Sequence, residues 1–396
     1  MILHVACLPF PTHQGTQAAI AAMLEASAAS GRRTELLVYA RTGYALDTSY
    51  AVHRIPNFPK VRSLRSGPSW GKVVLDARCV LEIRRLAKRH RPDAIVAHHI
   101  EAALAALAAR VAPVHYVAHT SLEHELPLYF PFLPARLVAR TGARAERLVC
   151  HASAGVAAVA PSLAEMLDGG AAYLPGPWLP EDSAAPSQEE SRRALGIGRE
   201  ARLCLYAGNL DRYQGWERLI EALAALRRNQ PGARLLIATE SDAAPARAEA
   251  TRHGVADAID VRRLDGESAR RLVHAASDLA WVPRLSLGGL PIKMLDAFAR
   301  GLPVVAMARA TADLPVGDAC IRVANDDAIA LAEGAQRVFG SGGAEALREE
   351  ARRYLVERHS IAAFDSALGR LLGEAPARRH HALSTIAPRR AFLDPE

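Results

Sequence analysis

The sequence predicts an α/β protein made of two doubly wound parallel sheets. Short apolar runs alternate with helical patterns along most of the chain, as in strand–helix–strand units. A stretch rich in proline, glycine, serine and acidic residues, 174–191, interrupts this alternation, which then restarts. The 396 residues also exceed the length at which a single hydrophobic core usually stops growing. We therefore expect two Rossmann-like domains in series, facing each other across a cleft that holds the ligand.

The apolar runs place the strands, and the helical periodicity places the helices between them. In the first half, the predicted strands are 2–8, 34–40, 93–99, 114–120 and 155–160, and the predicted helices are 16–30, 73–90, 100–110, 134–148 and 161–168. In the second half, the predicted strands are 202–208, 233–239, 258–264, 278–283, 303–307 and 320–324, with closing helices at 343–357 and 361–372. The predicted boundaries are 1–175 for the N-terminal domain, 176–191 for the linker, 192–360 for the C-terminal domain, 361–374 for a closing helix and 375–396 for a flexible tail.

The formal charge of +7 comes mostly from arginine, with clusters in 83–91 and 136–147. Helices of this composition could face anionic lipid or an acidic acceptor, although a solvated helix face looks the same. Nucleic acid is not expected as a partner, because aromatic residues make up only 5% of the chain and no zinc-finger or RNA-binding signature occurs. The sequence leaves the oligomeric state open.

Cysteine and histidine usage predicts neither disulfides nor a metal site. The five cysteines are scattered and mostly lie inside apolar runs, which is typical of buried thiols in a reducing compartment. No CxxC pair occurs, and the doublets His98-His99 and His380-His381 lack partners at metal-ligand spacing. We therefore expect a cytoplasmic protein without structural zinc.

The segment 288–306, GGLPIKMLDAFARGLPVVA, indicates a glycine-opened loop, a helix that contains one acid, and a buried strand. Gly288 and Gly289 allow backbone N–H groups to approach a ligand, and the helix that follows presents unpaired amides and the positive end of its dipole. Lys293 adds a positive charge near that end, and Asp296 can accept hydrogen bonds from hydroxyls such as those of a ribose. A sugar nucleotide diphosphate would satisfy all of these features, although an ordinary helix–strand unit with a solvated lysine has the same pattern.

Four segments resemble the GT-B glycosyltransferases, and within them glycosyltransferase family 4. They are PFPTHQGTQAAIAAMLEASAASGRRTELLV near the N-terminus, VAPSLAEML before the linker, YAGNLDRYQGWERLIEAL at the start of the second domain, and GLPIKMLDAFARGLPVVA. The resemblance extends to about residue 372 and implies that the first domain binds the acceptor and the second binds the nucleotide sugar.

The resemblance also implies the residues of the donor site. Lys293 would stabilise the leaving diphosphate, and His119, at the end of the strand 114–120, would face the reacting sugar. The implied donor-binding residues are Gly15, Thr16, Gly208, Asn209, Gln214, Gly289, Leu290, Pro291, Ile292 and Asp296, the last of them on the ribose. An ordinary helix N-cap at Gly15-Thr16 and a structural histidine at position 119 are the alternatives.

Acceptor contacts are predicted at Glu123 and Glu125, on the loop that follows the strand 114–120. Solvated surface charge is the simpler account of these two carboxylates. The acceptor side of such enzymes is built from loops, so the sequence leaves the acceptor open among lipids, glycans and small molecules.

The chain departs from the family pattern at the donor site. The family has a glutamate eight residues before the ribose-binding acid, and that position is Gly288 here. Asn209 and Gln214 stand where the common pattern has an arginine and a lysine, and Asp296 is one methylene shorter than the usual glutamate. Some family members combine a YxGN…YQG segment with a PxKxL loop, so we interpret these differences as those of a variant.

We therefore predict a cytoplasmic glycosyltransferase, acting free or peripherally at the inner membrane, that moves a hexose unit from a nucleotide diphosphate sugar to an acceptor. The resemblance implies retention of anomeric configuration, and the absence of a DxD motif predicts chemistry without a metal or other cofactor. Two alternatives stay open: a sugar-nucleotide epimerase of the same fold, and a catalytically silent partner protein. The donor base and sugar are also left open.

Overall fold

A computed structural model describes residues 1–11, 15–40, 47–56, 70–130, 132–167, 170–178, 186–211, 214–264, 266–285, 291–312, 314–340 and 342–374. These residues form two compact units. The first unit contains residues 1–177 together with residues 359–374, and the second contains residues 178–285 and 291–358. The predicted tail 375–396 lies outside the described residues.

The first unit is built on a seven-stranded parallel sheet in the order β3-β2-β1-β4-β5-β6-β7. Its strands are β1 (Ile2–Pro9), β2 (Thr34–Tyr39), β3 (Ala51–Ile55), β4 (Ala94–His98), β5 (Val114–Ala118), β6 (Gly155–Ala158) and β7 (Ala172–Tyr173). Its helices are α1 (Gly15–Ala29), α2 (Trp70–His90), α3 (His99–Ala109), α4 (Leu122–Tyr129), α5 (Ala135–Ala152), α6 (Pro161–Met166) and, from the chain end, α15 (Ile361–Leu371). All strand pairs are parallel, as the alternating pattern predicts.

Alternate residues of β1 supply the two faces of this sheet. Leu3 and Val5 belong to the large apolar core, whereas Ala6 belongs to a smaller cluster with residues of α1 such as Ile20 and Leu24. The side chains of a strand point to opposite faces in turn, so His4 lies on the α1 face together with Ala6.

The second unit has a six-stranded parallel sheet in the order β10-β9-β8-β11-β12-β13. Its strands are β8 (Arg202–Ala207), β9 (Ala233–Ala238), β10 (Ile259–Arg262), β11 (Leu279–Val282), β12 (Val304–Met307) and β13 (Ile321–Val323). Its helices are α7 (Gln188–Leu195), α8 (Glu217–Arg227), α9 (Ala244–Arg252), α10 (Gly266–Ala276), α11 (Ile292–Ala299), α12 (Ala308–Thr311), α13 (Ala328–Phe339) and α14 (Gly343–Arg358). Two 3-10 turns lie at Ala256–Ala258 and Gly317–Ala319.

Helix α11 is the helix that the segment 288–306 predicts. Pro291 is its N-cap residue, and the chain leaves the helix at Gly301, whose φ of +66° is left-handed. The amide of Gly301 bonds the carbonyl of Phe298, and the amide of Leu302 bonds that of Ala297. Glycine suits this position because a Cβ atom opposes the left-handed conformation, so the helix ends where the sequence indicates.

The predicted strands are all present, but several elements differ from the sequence prediction. β3 was not predicted because it lacks an apolar run, and β7 was not predicted because it has only two residues. Helix α13 was not predicted either. Residues 122–129 form α4 rather than a loop, although Pro127 lies inside the helix. Helix α7 begins at Gln188, within the predicted linker, because Ser187 and Glu190 form a capping box.

Candidate active-site residues

Lys293 lies in the first turn of α11, where its amine contacts Tyr206 of β8 and Gln214 from the segment after β8. Nζ of Lys293 is 2.5 Å from Oε1 of Gln214, 3.3 Å from the hydroxyl of Tyr206 and 4.6 Å from the centre of the Tyr206 ring. The hydroxyl of Tyr206 donates to the carbonyl oxygen of Asn209 at 2.5 Å. The structure therefore links Lys293 directly to Gln214 and, through Tyr206, to Asn209; their role in donor binding stays a prediction.

The electrostatics of Lys293 are unusual for a lysine. Burial, and secondly the positive charge of Arg284, lower the pKa of Lys293 to about 7, although Asp211 opposes the shift. Its direct partners are a neutral amide and a phenol, neither of which replaces the hydration of an ammonium. The amine is thus poised to take up a proton when an anion arrives.

Gly208, one of the predicted donor-binding residues, leaves room for the side chain of Lys293. A Cβ atom at this position would lie 3.2 Å from Nζ and 3.4 Å from Cε of Lys293. The lysine side chain therefore occupies space that any residue other than glycine would restrict. Pro291 and Ile292 lie immediately before Lys293, whereas Gly289 and Leu290 lie outside the described residues.

Asp296 is buried, and both of its carboxylate oxygens are engaged by arginines. Arg270 donates to Oδ2 at 3.0 Å, Arg300 donates to Oδ1 at 3.2 Å, and Nε2 of His274 lies 3.7 Å from Oδ2. Burial alone would raise the pKa of Asp296, but the two guanidinium groups outweigh it and hold the pKa well below its usual range. Glu267 continues the network by accepting from Arg300 at 2.6 Å. Neither arginine was predicted as a site residue, because Arg270 on α10 and Arg300 at the end of α11 look in sequence like the charges of ordinary surface helices.

His119 follows β5 and is buried among other histidines. Its Nε2 lies 3.0 Å from Nδ1 of His98, and Nε2 of His98 lies 3.0 Å from Nδ1 of His4. The ring of His99 stacks on that of His119 with centroids 4.7 Å apart. Burial lowers the pKa of His4 to about 3 and places those of His98 and His119 well below the ordinary value. At neutral pH these three rings are uncharged.

The other predicted site residues of the first unit are Gly15, Thr16, Glu123 and Glu125, and among the described residues none of them hydrogen-bonds to this histidine cluster. Gly15 is exposed and opens α1, and Thr16 is the next residue of that helix. Glu123 is exposed on α4, whereas Glu125 accepts from the hydroxyl groups of Thr120 at 2.6 Å and Tyr129 at 2.8 Å. The acceptor role of the two glutamates stays a prediction, and Glu125 has an evident local role in holding α4.

Within the described residues, two groups of side chains have the composition of a metal site. They are Glu35, His53 and His90 in the first unit, and Glu221, Glu249 and His253 in the second. The carboxylate of Glu35 lies 2.8 Å from Nε2 of His53 and 3.2 Å from Nδ1 of His90. Neither group contains a residue of the predicted site. Glu35 and Glu249 pair with histidines of their own groups, and Glu221 pairs with Arg218.

Two family models match the two halves of the chain. The model of glycosyltransferase family 4 matches residues 14–171, and that of the glycosyl transferases group 1 matches residues 201–341. Together with the two parallel-sheet units, these matches define the class as GT-B glycosyltransferases. The chain therefore belongs to the group 1 glycosyltransferases, and its first half matches family 4, the family that the sequence resembles. No curated protein sequence matches the chain significantly.

Solved structures share the fold over nearly the whole chain. Sucrose-phosphate synthase (tll1590) from Thermosynechococcus elongatus is 16% identical, with a TM-score of 0.73 over 93% of this chain and 97% of its own. Anabaena Alr3699/HepE in complex with UDP and glucose is 15% identical, with a TM-score of 0.71 over 94% and 99%. WaaG, a glycosyltransferase involved in lipopolysaccharide biosynthesis, is 18% identical, with a TM-score of 0.66 over 94% and 100%. At these identities the likeness establishes the fold.

Proposed function

We propose that this glycosyltransferase moves a hexose unit from a nucleoside diphosphate sugar to an acceptor hydroxyl. The environment of Lys293 carries the proposal. Its amine contacts a neutral amide and a phenol, and among the described residues no carboxylate lies within ion-pair distance of it. A half-buried amine with neutral partners and a lowered pKa favours an anionic ligand, which would restore its charged form. A diphosphate is the anion that every nucleotide sugar donor contains.

The position of the amine in the second unit supports the same ligand. Lys293 begins α11, whose first amides have no acceptor within the helix and whose dipole is positive at this end. Gln214 and Gly208 follow β8, so they lie at the carboxyl edge of the sheet, where ligands of doubly wound folds bind. Amides, an ammonium group and a glycine at one edge form a suitable cradle for phosphate oxygens.

The donor class is supported by a structural neighbour. Anabaena Alr3699/HepE has been crystallised with UDP, with UDP and glucose, and with UDP-glucose. We extend to this chain only the class of donor, a nucleoside diphosphate hexose.

The chemistry proposed for Lys293 is stabilisation of the leaving group. As the bond between the anomeric carbon and the phosphate oxygen breaks, its electron pair passes to the diphosphate, and the acceptor oxygen forms the new bond to the same carbon. The departing phosphate takes the acceptor proton on the same face, which gives retention, as the family resemblance implies. The ammonium and helix amides stabilise the charge that develops, so no divalent metal or further cofactor is required.

Asp296 is proposed to accept a hydrogen bond from the ribose. The two carboxylate oxygens have about four acceptor sites, and the structure shows two donated hydrogen bonds, from Arg270 and Arg300. The arginines fix the carboxylate in its ionised form, which is the stronger acceptor. The same network also supports a purely structural role, so the ribose contact needs its own test.

An acceptor at a membrane surface is favoured by the exposed face of α5. This face presents Leu137 and Leu148, which are 62% and 71% exposed, with the exposed Arg140 and Arg144 between them along the helix. Leucines combined with arginines along one face of a helix are typical of interfacial membrane binding. We therefore propose peripheral contact with an anionic membrane on the cytoplasmic side. No helix among the described residues has the length and apolarity to span a bilayer.

The direct test is incubation of the purified protein with UDP- and GDP-hexoses, each with and without a bacterial lipid or glycan extract. The proposal predicts release of a nucleoside diphosphate that depends on the extract, together with a product heavier by one hexose in mass spectrometry. Conversion of a sugar nucleotide to its isomer without an acceptor would indicate an epimerase. Failure to bind any nucleotide would indicate a catalytically silent protein.

A further inference from the structure

The three linked histidines form a diagonal across the sheet of the first unit. Ala6 of β1 pairs with His98 of β4, and His98 pairs with Val117 of β5. His4 therefore lies two residues before the partner of His98, and His119 lies two residues after it. Residues two apart share a face of the sheet, so each step moves one strand across and two residues toward the carboxyl edge. The diagonal connects the interior of the sheet with the edge where ligands bind.

Neutral imidazoles allow only two arrangements of protons in this chain. Each ring carries one N–H donor and one bare nitrogen acceptor, because burial keeps all three uncharged. His98 bonds to a ring on each side, so it donates to one neighbour and accepts from the other. All three rings must therefore hold their protons on the same type of nitrogen, either Nδ1 or Nε2.

The buried end of the chain favours one of these arrangements. Nε2 of His4 is enclosed and has no hydrogen-bond partner among the described residues. A proton on this nitrogen would be a buried donor without an acceptor, which proteins avoid more strictly than an acceptor without a donor. The proton of His4 is therefore better placed on Nδ1, where it is donated to His98. His98 then donates from Nδ1 to His119.

We propose that His4 and His98 are positioning residues that hold His119 in its Nδ1–H form, so that it offers the sugar donor an N–H group. The inference takes its substrate, the sugar donor, from the proposed function. The geometry of the histidine chain does not depend on that function. An isolated histidine in water favours the Nε2–H form, so the chain imposes the opposite choice. Nδ1 of His119 is the open end: it has no partner among the described residues and, unlike Nε2 of His4, is not enclosed.

The backbone at the neighbouring residue supports a built site. His99 adopts a left-handed φ of +67°, which is uncommon for residues other than glycine, and its ring stacks on that of His119. Backbone conformations of this kind persist where the surrounding structure enforces them, often at functional sites. The stacked ring fixes the plane of His119, and the hydrogen bond from His98 fixes its rotation and its proton. Together they would present a single donor in one direction.

The first test measures the tautomer directly in the full chain labelled with ¹⁵N-histidine. Protonated and unprotonated ring nitrogens differ clearly in ¹⁵N chemical shift, and a His119→Asn variant assigns the signals. We expect Nδ1–H on His4, His98 and His119 at neutral pH. A proton on Nε2 of His119, or different tautomers along the chain, would overturn the proposal. Because no ligand is needed, this result is independent of whether the protein transfers sugar.

The second test uses two nearly isosteric substitutions of His98. The His98→Asn amide can donate to His119 and should keep its Nδ1–H form, whereas the His98→Asp carboxylate can only accept when ionised and should move the proton to Nε2. We expect kcat for the consumed sugar nucleotide to stay near wild type in His98→Asn and to fall about tenfold or more in His98→Asp. His115→Asn is the control and should leave kcat unchanged, because His115 is a buried histidine of β5 outside the histidine chain.

Equal losses in His98→Asn and His98→Asp would mean that His98 only fills space, and would overturn the proposal. Should His98→Asp fail to fold, the ¹⁵N spectrum of the wild-type protein still decides. The Nδ1–H form in a protein that consumes no sugar nucleotide would leave the histidine chain intact and reject the proposed function. An Nε2–H form of His119 in an active transferase would reject the positioning role of His4 and His98 and leave the proposed function intact.

Discussion

Oε1 of Gln214 lies 2.5 Å from Nζ of Lys293, so a neutral amide holds the amine that we place at the diphosphate. The common family pattern that the sequence resembles has a lysine at position 214 and an arginine at 209. Without these two cations the site carries less positive charge. The remaining lysine, Lys293, is half-buried beside a neutral partner and has a lowered pKa. The behaviour of Lys293 should therefore depend on ligand and on pH.

The pKa of Lys293 should be visible as unusual reactivity. The sequence has only four lysines, and a lysine with a pKa of about 7 is substantially deprotonated at pH 7.5, where an exposed lysine is protonated. We expect a limiting amount of an amine-acylating reagent to modify Lys293 first, with a rate that rises with pH around a midpoint near 7. Peptide mapping by mass spectrometry measures the rate at each lysine, and exposed Lys88 is the internal control.

The groups that face Lys293 set the sign of its response to a ligand. Tyr206 and Gln214 are neutral neighbours, Arg284 opposes the ammonium and Asp211 favours it. A bound diphosphate adds negative charge and raises the pKa, so UDP or GDP should slow acylation of Lys293 without affecting Lys88. Acylation of Lys293 no faster than that of Lys88 would contradict the lowered pKa.

Gly208→Ala should weaken nucleotide binding more than it weakens the fold. The new methyl group would lie 3.2 Å from the lysine Nζ and would displace a flexible side-chain end rather than backbone. The φ of +157° at Gly208 adds a strain of about 1 kcal/mol. We expect about a tenfold loss of affinity for the preferred nucleoside diphosphate by calorimetry, with a small change in Tm.

The matched control for this substitution is Gly232→Ala, in the turn before β9. A Cβ atom at Gly232 meets nothing within 4 Å, so both affinity and Tm should stay near wild type. If Gly208→Ala bound nucleotide as tightly as Gly232→Ala does, the amine of Lys293 would not be part of the donor site.

Asp296→Asn should destabilise the second unit by about 3 kcal/mol at neutral pH, because it leaves two largely buried arginines without their shared carboxylate. The pKa of Asp296 is depressed in the folded state, so its contribution is fully present above the unfolded pKa of about 4 and is lost as the pH falls below that value toward the folded-state pKa. Urea unfolding followed by circular dichroism should show a constant difference from pH 7 to pH 5 that narrows below pH 4. Asp260→Asn, which removes the more exposed Arg234 pair, should cost less than about 1 kcal/mol.

The ribose role of Asp296 is tested separately by 2′-deoxy analogues of the preferred nucleotide. A hydrogen bond from the ribose hydroxyl to this carboxylate should make the analogue bind about tenfold more weakly to the wild-type protein. Equal affinity for both nucleotides would leave Asp296 with its structural role alone.

The exposed face of α5 should bind anionic vesicles. Replacing Leu137 and Leu148 with glutamate removes apolar area and adds like charge, so sedimentation with phosphatidylglycerol vesicles should fall to the level seen with neutral vesicles. Leu81→Glu is the control, because Leu81 is 61% exposed on α2 but lies outside this face. An equal loss in the control, or binding that ignores lipid charge, would contradict a specific role of α5.

The fold was predictable because apolar runs and helical periods are local signals. β1 and β8, for example, are buried throughout most of their length, so composition alone reveals them. β3 was missed because it has only one buried residue, Ile55. The closing helix α15 was predicted as an element, but its place in the first unit involves contacts between residues far apart in sequence, such as the burial of Phe364 and Leu368 and the salt bridge of Asp365 with Arg32.

Residues of the candidate site could be predicted from the sequence only where they lie in one continuous segment. Lys293 and Asp296 share α11, so the loop–helix–strand pattern identified both. One partner of Asp296, Arg270, comes from another helix, and the histidine chain combines His4 of β1, His98 of β4 and His119 just after β5. Such relationships require the strand order, which one sequence does not provide. With β4 known to lie between β1 and β5, the spacing of the three histidines would have predicted their diagonal.

We propose above all that Lys293 stabilises the leaving diphosphate. The most direct test compares the change in kcat with the change in nucleoside diphosphate Kd that Lys293→Ala causes. With the preferred sugar nucleotide, we measure kcat for donor consumption and the calorimetric Kd of the corresponding nucleoside diphosphate, using Lys88→Ala as the control. The account predicts that kcat falls by about a hundredfold or more, while Kd rises considerably less. An unchanged kcat, or a loss of binding that equals the loss of turnover, would contradict it.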